Sequence, residues 1–250
     1  MKRLLAALSA SFCILVGAPA FAADLTVSAA ASLTNAFREL GPVFESRNPD
    51  VKVQFNFAAS GNLLQQIAKG APADVFASAD QETMNRAQAQ NLIDTANRRD
   101  FVSNALVVII PAQASNTPAD LNALTQPGYG RIAIGLPESV PVGRYTKGVL
   151  EKANLWSAIE PKMIGSQNVR QALDYVARGE VDAGFVYGTD AALMRDKVKV
   201  AFAVPTEQPI LYPIAPVAGS ANLAIARKFV AFIGSNDAQA ILAKYGFGKP

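Results

Sequence analysis

Four short segments hold the residue types from which an anion site can be built. Ser32 follows the run Leu25-Thr-Val-Ser28 and stands before Leu33–Arg47, where apolar residues recur every three or four positions. Ala59-Ser60-Gly61 separates the alternating run Val51–Phe57 from a second such stretch, Leu63–Lys69. Val140-Pro-Val-Gly143 precedes Arg144–Ala153, and Ser166-Gln-Asn168 precedes Val169–Arg178. Each segment is a helix start, where the first backbone N–H groups lack partners in the chain and the helix dipole places about half a positive charge. A Ser or Asn at such a place ordinarily caps the helix. Several starts facing one point could instead hold an anion with their N–H and O–H groups. Gly61 and Gly143 allow backbone to approach a ligand closely, and Pro141 is ordinary at a first helical position. Tyr187 ends the run Phe185-Val-Tyr187 before Gly188. By residue type it is a half-buried aromatic with its hydroxyl in water; the alternative is an O–H donor reaching a cleft.

Composition removes most catalytic readings. The chain has no histidine, and its single cysteine, Cys13, falls within the first 22 residues, which read as a signal peptide removed on export. Imidazole bases, thiolate nucleophiles and Cys/His zinc sites are therefore excluded. Ser60-Gly61 lacks the G-x-S-x-G surroundings of a nucleophile elbow, so no catalytic residue is assigned and a serine-dependent enzyme is the weaker alternative. Asp74 and Asp80 bracket a short strand, Asp74–Ala77. Asp80 reads as the N-cap of Gln81–Gln90 and Asp74 as a loop-orienting acceptor. Arg144 and Arg170 read as solvated helix-face residues that add long-range positive potential. No cofactor and no resident metal are expected.

The elements that must position these residues follow from hydrophobic periodicity. Lys2 and Arg3, the apolar run Leu4–Val16 and Ala20-Phe-Ala22 form a secretory signal peptide spanning 1–22. Its removal leaves 21 basic against 20 acidic residues and no long basic block, which gives no case for nucleic acid. Strand-like runs (Leu25–Ser28, Val51–Phe57, Asp74–Ala77, Ala105–Ile110, Arg131–Gly135, Gly184–Tyr187, Val198–Val204) alternate with helical ones. That order implies α/β architecture with mostly parallel sheets. Gly41-Pro42 predicts an irregular first helix. Extended passages at Asp100–Pro111 and Ile210–Val217 divide the chain into one lobe of 23–105 plus 214–250 and a second of 106–213.

Ala29-Ala-Ala-Ser-Leu-Thr-Asn-Ala36, Gly70-Ala-Pro-Ala-Asp-Val-Phe-Ala-Ser-Ala-Asp80, Val140-Pro-Val-Gly143, Val186-Tyr-Gly188 and Lys244-Tyr-Gly-Phe247 together resemble the periplasmic molybdate-binding proteins of ABC transporters. The resemblance covers nearly all of the chain after residue 22. It implies a two-lobed type II periplasmic binding fold that closes on one tetrahedral oxyanion, molybdate or tungstate, with molybdenum present only as that oxyanion. It also implies that the anion is held by Ser32, Ser60 and Tyr187 through hydroxyls and by Val142 and Val169 through backbone N–H groups. Val142 stands where the family often has alanine, and Ala59-Ser60-Gly61 where some members have consecutive serines. A monomer delivering its ligand to an inner-membrane permease follows from the same resemblance. Rival readings are a binder of sulfate, phosphate or an organic carboxylate, and a ligand-sensing domain of a regulator. A carboxylate binder is expected to carry Arg in its cleft.

Overall fold

The structure is a computed structural model that describes residues 23–250; the expected signal peptide lies outside the described residues. Ten strands form two five-stranded sheets. The first contains β1 (Ala23–Ala30), β2 (Val51–Ala58), β3 (Val75–Ala77), β4 (Arg99–Asn104) and β10 (Ile210–Pro216), in the order β2-β1-β3-β10-β4. The second contains β5 (Leu106–Pro111), β6 (Ile132–Gly135), β7 (Met163–Ser166), β8 (Ala183–Tyr187) and β9 (Val198–Val204), in the order β7-β6-β8-β5-β9. The two orders are the same pattern. In each sheet three neighbouring strands pair in parallel, and one inserted strand, β10 or β5, runs against its two neighbours. Four of five strands therefore share a direction, although half of the pairings are antiparallel. This repetition of topology has no counterpart as a sequence repeat.

The helices are α1 (Thr34–Arg47), α2 (Ser60–Ala68), α3 (Gln81–Ala89), α4 (Pro141–Lys152), α5 (Trp156–Ile159), α6 (Val169–Ala177), α7 (Gly188–Ala191), α8 (Leu223–Ile233) and α9 (Asn236–Lys244). As the periodicity of Leu33–Arg47 implies, α1 continues through Pro42. The carbonyl that Pro42 leaves without its helical partner belongs to the exposed Arg38. Gly41 is small because the Phe55 ring lies where its Cβ would be, 2.8 Å away.

The chain crosses between the sheets twice. The first crossing is the single residue Ala105, between β4 and β5; the second is the stretch 205–209, between β9 and β10. All of β10 pairs inside the first sheet, beginning with Ile210 opposite Asn104, so residues 210–213 belong with the first sheet and not with the second. A central strand with two prolines is unusual. Pro213 is accommodated because the pairing with β4 slips between Tyr212 and Pro213. Pro216 ends the strand.

Candidate functional site

The position of the two serines is fixed by strand register. β1 and β2 are parallel with Ala30 opposite Ala58. Ser32 and Ser60 each lie two residues beyond that last pair, at the carboxyl ends of adjacent strands, which in such sheets lie about 4.8 Å apart. Both are buried, and neither side chain caps the helix it begins. Each hydroxyl contacts a specific partner instead. Ser60 Oγ accepts the Ala79 N–H at 3.0 Å. Ser32 Oγ lies 3.0 Å from the Tyr212 hydroxyl.

The second sheet contributes helix starts. At α6, Asn168 Oδ1 accepts from the N–H groups of Arg170 (3.0 Å) and Gln171 (3.1 Å), leaving Val169 as the first free amide. At α4, Pro141 has no N–H, and the Gly143 and Arg144 amides turn back to Val140 O at 3.0 and 3.2 Å. Val142 carries the free amide there. No acceptor for the N–H of Ser32, Ser60, Val142 or Val169 occurs among the described residues. The start of α4 sits so close to β6 that a Cβ on Gly143 would lie 1.9 Å from the Gly135 carbonyl oxygen. Glycine there is a packing requirement.

Ser32, Ser60, Val142, Val169 and Tyr187 all line one small pocket, together with Ala31, Ala79 and Asn168. The sequence expectation of a half-buried Tyr187 is corrected: its side chain is 1 % exposed and its hydroxyl donates to Ala79 O at 3.4 Å. Its ring packs edge-on against Tyr212, centroids 5.7 Å apart, and Tyr212 packs likewise on Phe247 at 5.6 Å. The carboxyl-terminal Lys244-Tyr-Gly-Phe247 segment thereby supports the pocket from behind. Burial first, and then nearby negative groups, hold both phenols well above the ordinary tyrosine range, so both keep their protons.

The two halves meet directly around the pocket. Gly61 N–H donates to Ser139 O at 3.0 Å, and a Cβ on Gly61 would lie 2.6 Å from that oxygen. Arg144 is not a solvated helix-face residue. It reaches across to Asp80 (Nε 2.8 Å) and Thr83 (Oγ1 2.7 Å) of the other half and also donates to Pro137 O. Arg170 likewise donates to Ser32 O at 3.0 Å and Asn35 Oδ1 at 2.8 Å, with its Nε on Asp190. Asp190 is fully buried; desolvation raises its pKa, and the Arg170 charge and hydrogen bond oppose that shift. The cross-contacts describe a closed arrangement.

Asp80 caps α3 as expected, accepting from Thr83 N at 3.2 Å. Asp74 holds its loop by accepting from Thr26 N at 2.7 Å and Ser220 Oγ at 2.6 Å. No cluster of three or more His, Cys, Asp or Glu suited to a metal ion occurs among the described residues. Sequence reasoning missed Ala79, Tyr212, Asn104 and the bridging role of both arginines. The Ala79 segment was conspicuous, but nothing local marks its amide as the partner of Ser60.

Comparison with known proteins agrees with this geometry. The family of bacterial extracellular solute-binding proteins matches residues 25–248. The chain is 37% identical over 250 residues to the molybdate-binding protein ModA of Escherichia coli strain K12, covering 98% of this chain and 96% of that protein. It is 35% identical to the molybdate-binding protein ModA of Haemophilus influenzae, covering 91% of each. The solved periplasmic molybdate-binding protein of Azotobacter vinelandii superposes with a TM-score of 0.77 at 25% identity, over 90% of this chain and 99% of that one.

Proposed function

The chain belongs to the bacterial extracellular solute-binding proteins, and from that premise we propose that its solute is molybdate, with tungstate accepted alongside. It is a binding protein and not an enzyme. In this reading it is exported by a cleaved signal peptide to the periplasm, acts as a monomer, and hands its cargo to an inner-membrane ABC permease. The first sheet with its helices forms one jaw and the second forms the other. Ser32, Ser60, Tyr187 and the amides of Val142 and Val169 hold the anion.

One observation carries the reading: hydroxyls and unpaired amides from both halves line a single pocket, and none of those groups is ionisable near neutrality. A dianion leaving water loses a large hydration energy. Hydrogen bonds to a charged acceptor return about 1.5–3 kcal/mol each. The Tyr187 proton, now on a long bond to Ala79 O, turns to the stronger charged acceptor when an anion is seated. A protonated anion, such as hydrogen phosphate, presents an O–H to a lining of donors and is disfavoured. Sulfate, fully ionised, is disfavoured by size. Arg144 and Arg170 are engaged with Asp80 and Asp190 and are not among the residues lining the pocket, which speaks against an organic carboxylate as ligand.

Titration calorimetry with molybdate, tungstate, sulfate and phosphate tests the proposal. Comparable tight binding of the first two, and binding of the last two weaker by at least about a hundredfold, is expected. Sulfate binding as tightly as molybdate would refute it.

A further inference from the structure

The hydroxyl of Ser32 sits at the end of a chain of polar groups whose direction can be read from one backbone amide. The Ala105 N–H, which can only donate, points at the Asn104 side chain at 2.9 Å, so the atom facing it is Oδ1. The amide nitrogen of Asn104 therefore faces Thr189 Oγ1 at 2.9 Å and Tyr212 Oη at 3.2 Å. Nδ2 can only donate, so the Tyr212 oxygen accepts from it. The remaining polar partner of Tyr212 among the described residues is Ser32 Oγ, 3.0 Å away. The phenol proton consequently points at Ser32, whose oxygen accepts it. The single proton of Ser32 is left for whatever occupies the pocket that Ser32 lines.

We propose that Tyr212, oriented by Asn104, is a positioning and specificity-determining residue that makes Ser32 present a hydrogen and not a lone pair to the ligand. The proposal rests on reading the pocket as an oxyanion site and deepens it. Ser60 supplies the internal comparison. Its oxygen is filled by the Ala79 amide, a main-chain donor that no substitution other than proline removes. The two serines of the first half are thus polarised alike, one by backbone and one by a replaceable side chain. Tyr212 is fully buried between the rings of Phe101, Tyr187 and Phe247, so the phenol has little freedom to turn away. It stays protonated there, which keeps the chain running in one direction.

The experiment is a double-mutant cycle on the mature protein, with molybdate and inorganic phosphate as calorimetric probes. Tyr212→Phe retains the ring and removes the O–H. It is expected to weaken molybdate binding about five- to tenfold. Ser32→Ala combined with Tyr212→Phe is expected to be no weaker than Ser32→Ala alone within about twofold, because the tyrosine acts through the serine. The preference for molybdate over phosphate is expected to narrow in Tyr212→Phe, most at mildly acidic pH, since Ser32 can then accept from a P–OH group. Asn104→Leu is the second variant, should Tyr212→Phe fold poorly. Its loss in affinity is expected to be smaller and again to vanish in the Ser32→Ala background. Additive losses, or an unchanged phosphate preference, overturn the role of Tyr212 while leaving the molybdate reading intact. Absence of binding to any oxyanion by the unmodified protein overturns both.

Discussion

In one half of the molecule Ser32 and Ser60 stand at matched positions beyond paired strands and offer hydroxyls. In the other, Val142 and Val169 offer main-chain N–H groups at helix starts, and a single hydroxyl comes from Tyr187 at the end of β8. The sheets behind them have the same strand order, so the difference lies in the loops. A hydroxyl can rotate, accept as well as donate, and be deleted by one substitution. An amide does none of these. The hydroxyl half accordingly needs auxiliary partners, Tyr212 and the Ala79 N–H, to set its polarity. The two amides of the other half need only backbone placement, which Gly143, Pro141 and Asn168 provide.

Substitutions can break or sharpen this contrast. The largest effect is expected where the two halves touch. Gly61→Val sets its side chain against Ser139 across the cleft, where even a Cβ would be 2.6 Å from the carbonyl oxygen. Molybdate affinity should fall at least about a hundredfold by calorimetry. The ligand-free melting temperature should stay near that of the unmodified protein, because the nearest clashing atoms all belong to the opposite half. Next, Ser32→Ala and Ser60→Ala should each weaken binding by about 10- to 100-fold, the worth of one hydrogen bond to a charged group. They should cost similar stability, about 1–3 kcal/mol each in urea unfolding, because Ser60→Ala leaves the Ala79 amide and Ser32→Ala the Tyr212 hydroxyl without an acceptor.

On the amide side, Val142→Ala should change affinity by less than about threefold, since the donor is main chain and the lost methyls affect packing. A loss as large as that of the serines would erase the distinction between the halves. The smallest effect concerns pH. Tyr187 and Tyr212 are acids whose folded pKa lies above the unfolded value near 10. The stability they lend is complete below about pH 10 and is lost as pH rises from there through the folded values. Molybdate affinity should therefore stay level between about pH 8 and 10, where an exposed tyrosine donor would already begin to titrate. A decline following ordinary tyrosine ionisation would show the Tyr187 hydroxyl to be solvated.

Much of the site was legible because its chemistry is local. A strand ending at Ser28, a serine and an amphipathic stretch identify a helix start without tertiary information. The alternating run Val51–Phe57 did the same for Ser60. What was not legible depends on distance in sequence. Arg144 and Arg170 lie where a helix face could meet solvent, and only the meeting of the two halves turns them into bridges. Tyr212 was hidden by Pro213, which reads as a break in pairing; a slipped register keeps the strand central. Asn104 ends a strand whose mixed sequence, Arg-Asp-Phe-Val-Ser-Asn, carries a weak period-two signal. Tyr187 was placed too near water because residue type cannot report that Tyr212 and Phe247 close over it.

A lining without ionisable groups leaves the charge of its occupant uncompensated. Residues 23–250 carry 21 basic and 20 acidic side chains. A seated dianion therefore takes the protein from a net charge of +1 to −1 with no proton gained or lost. Empty and loaded forms would then migrate in opposite directions in an electric field near neutral pH. A membrane receptor that meets both has a difference in long-range potential, as well as in shape, by which to tell them apart.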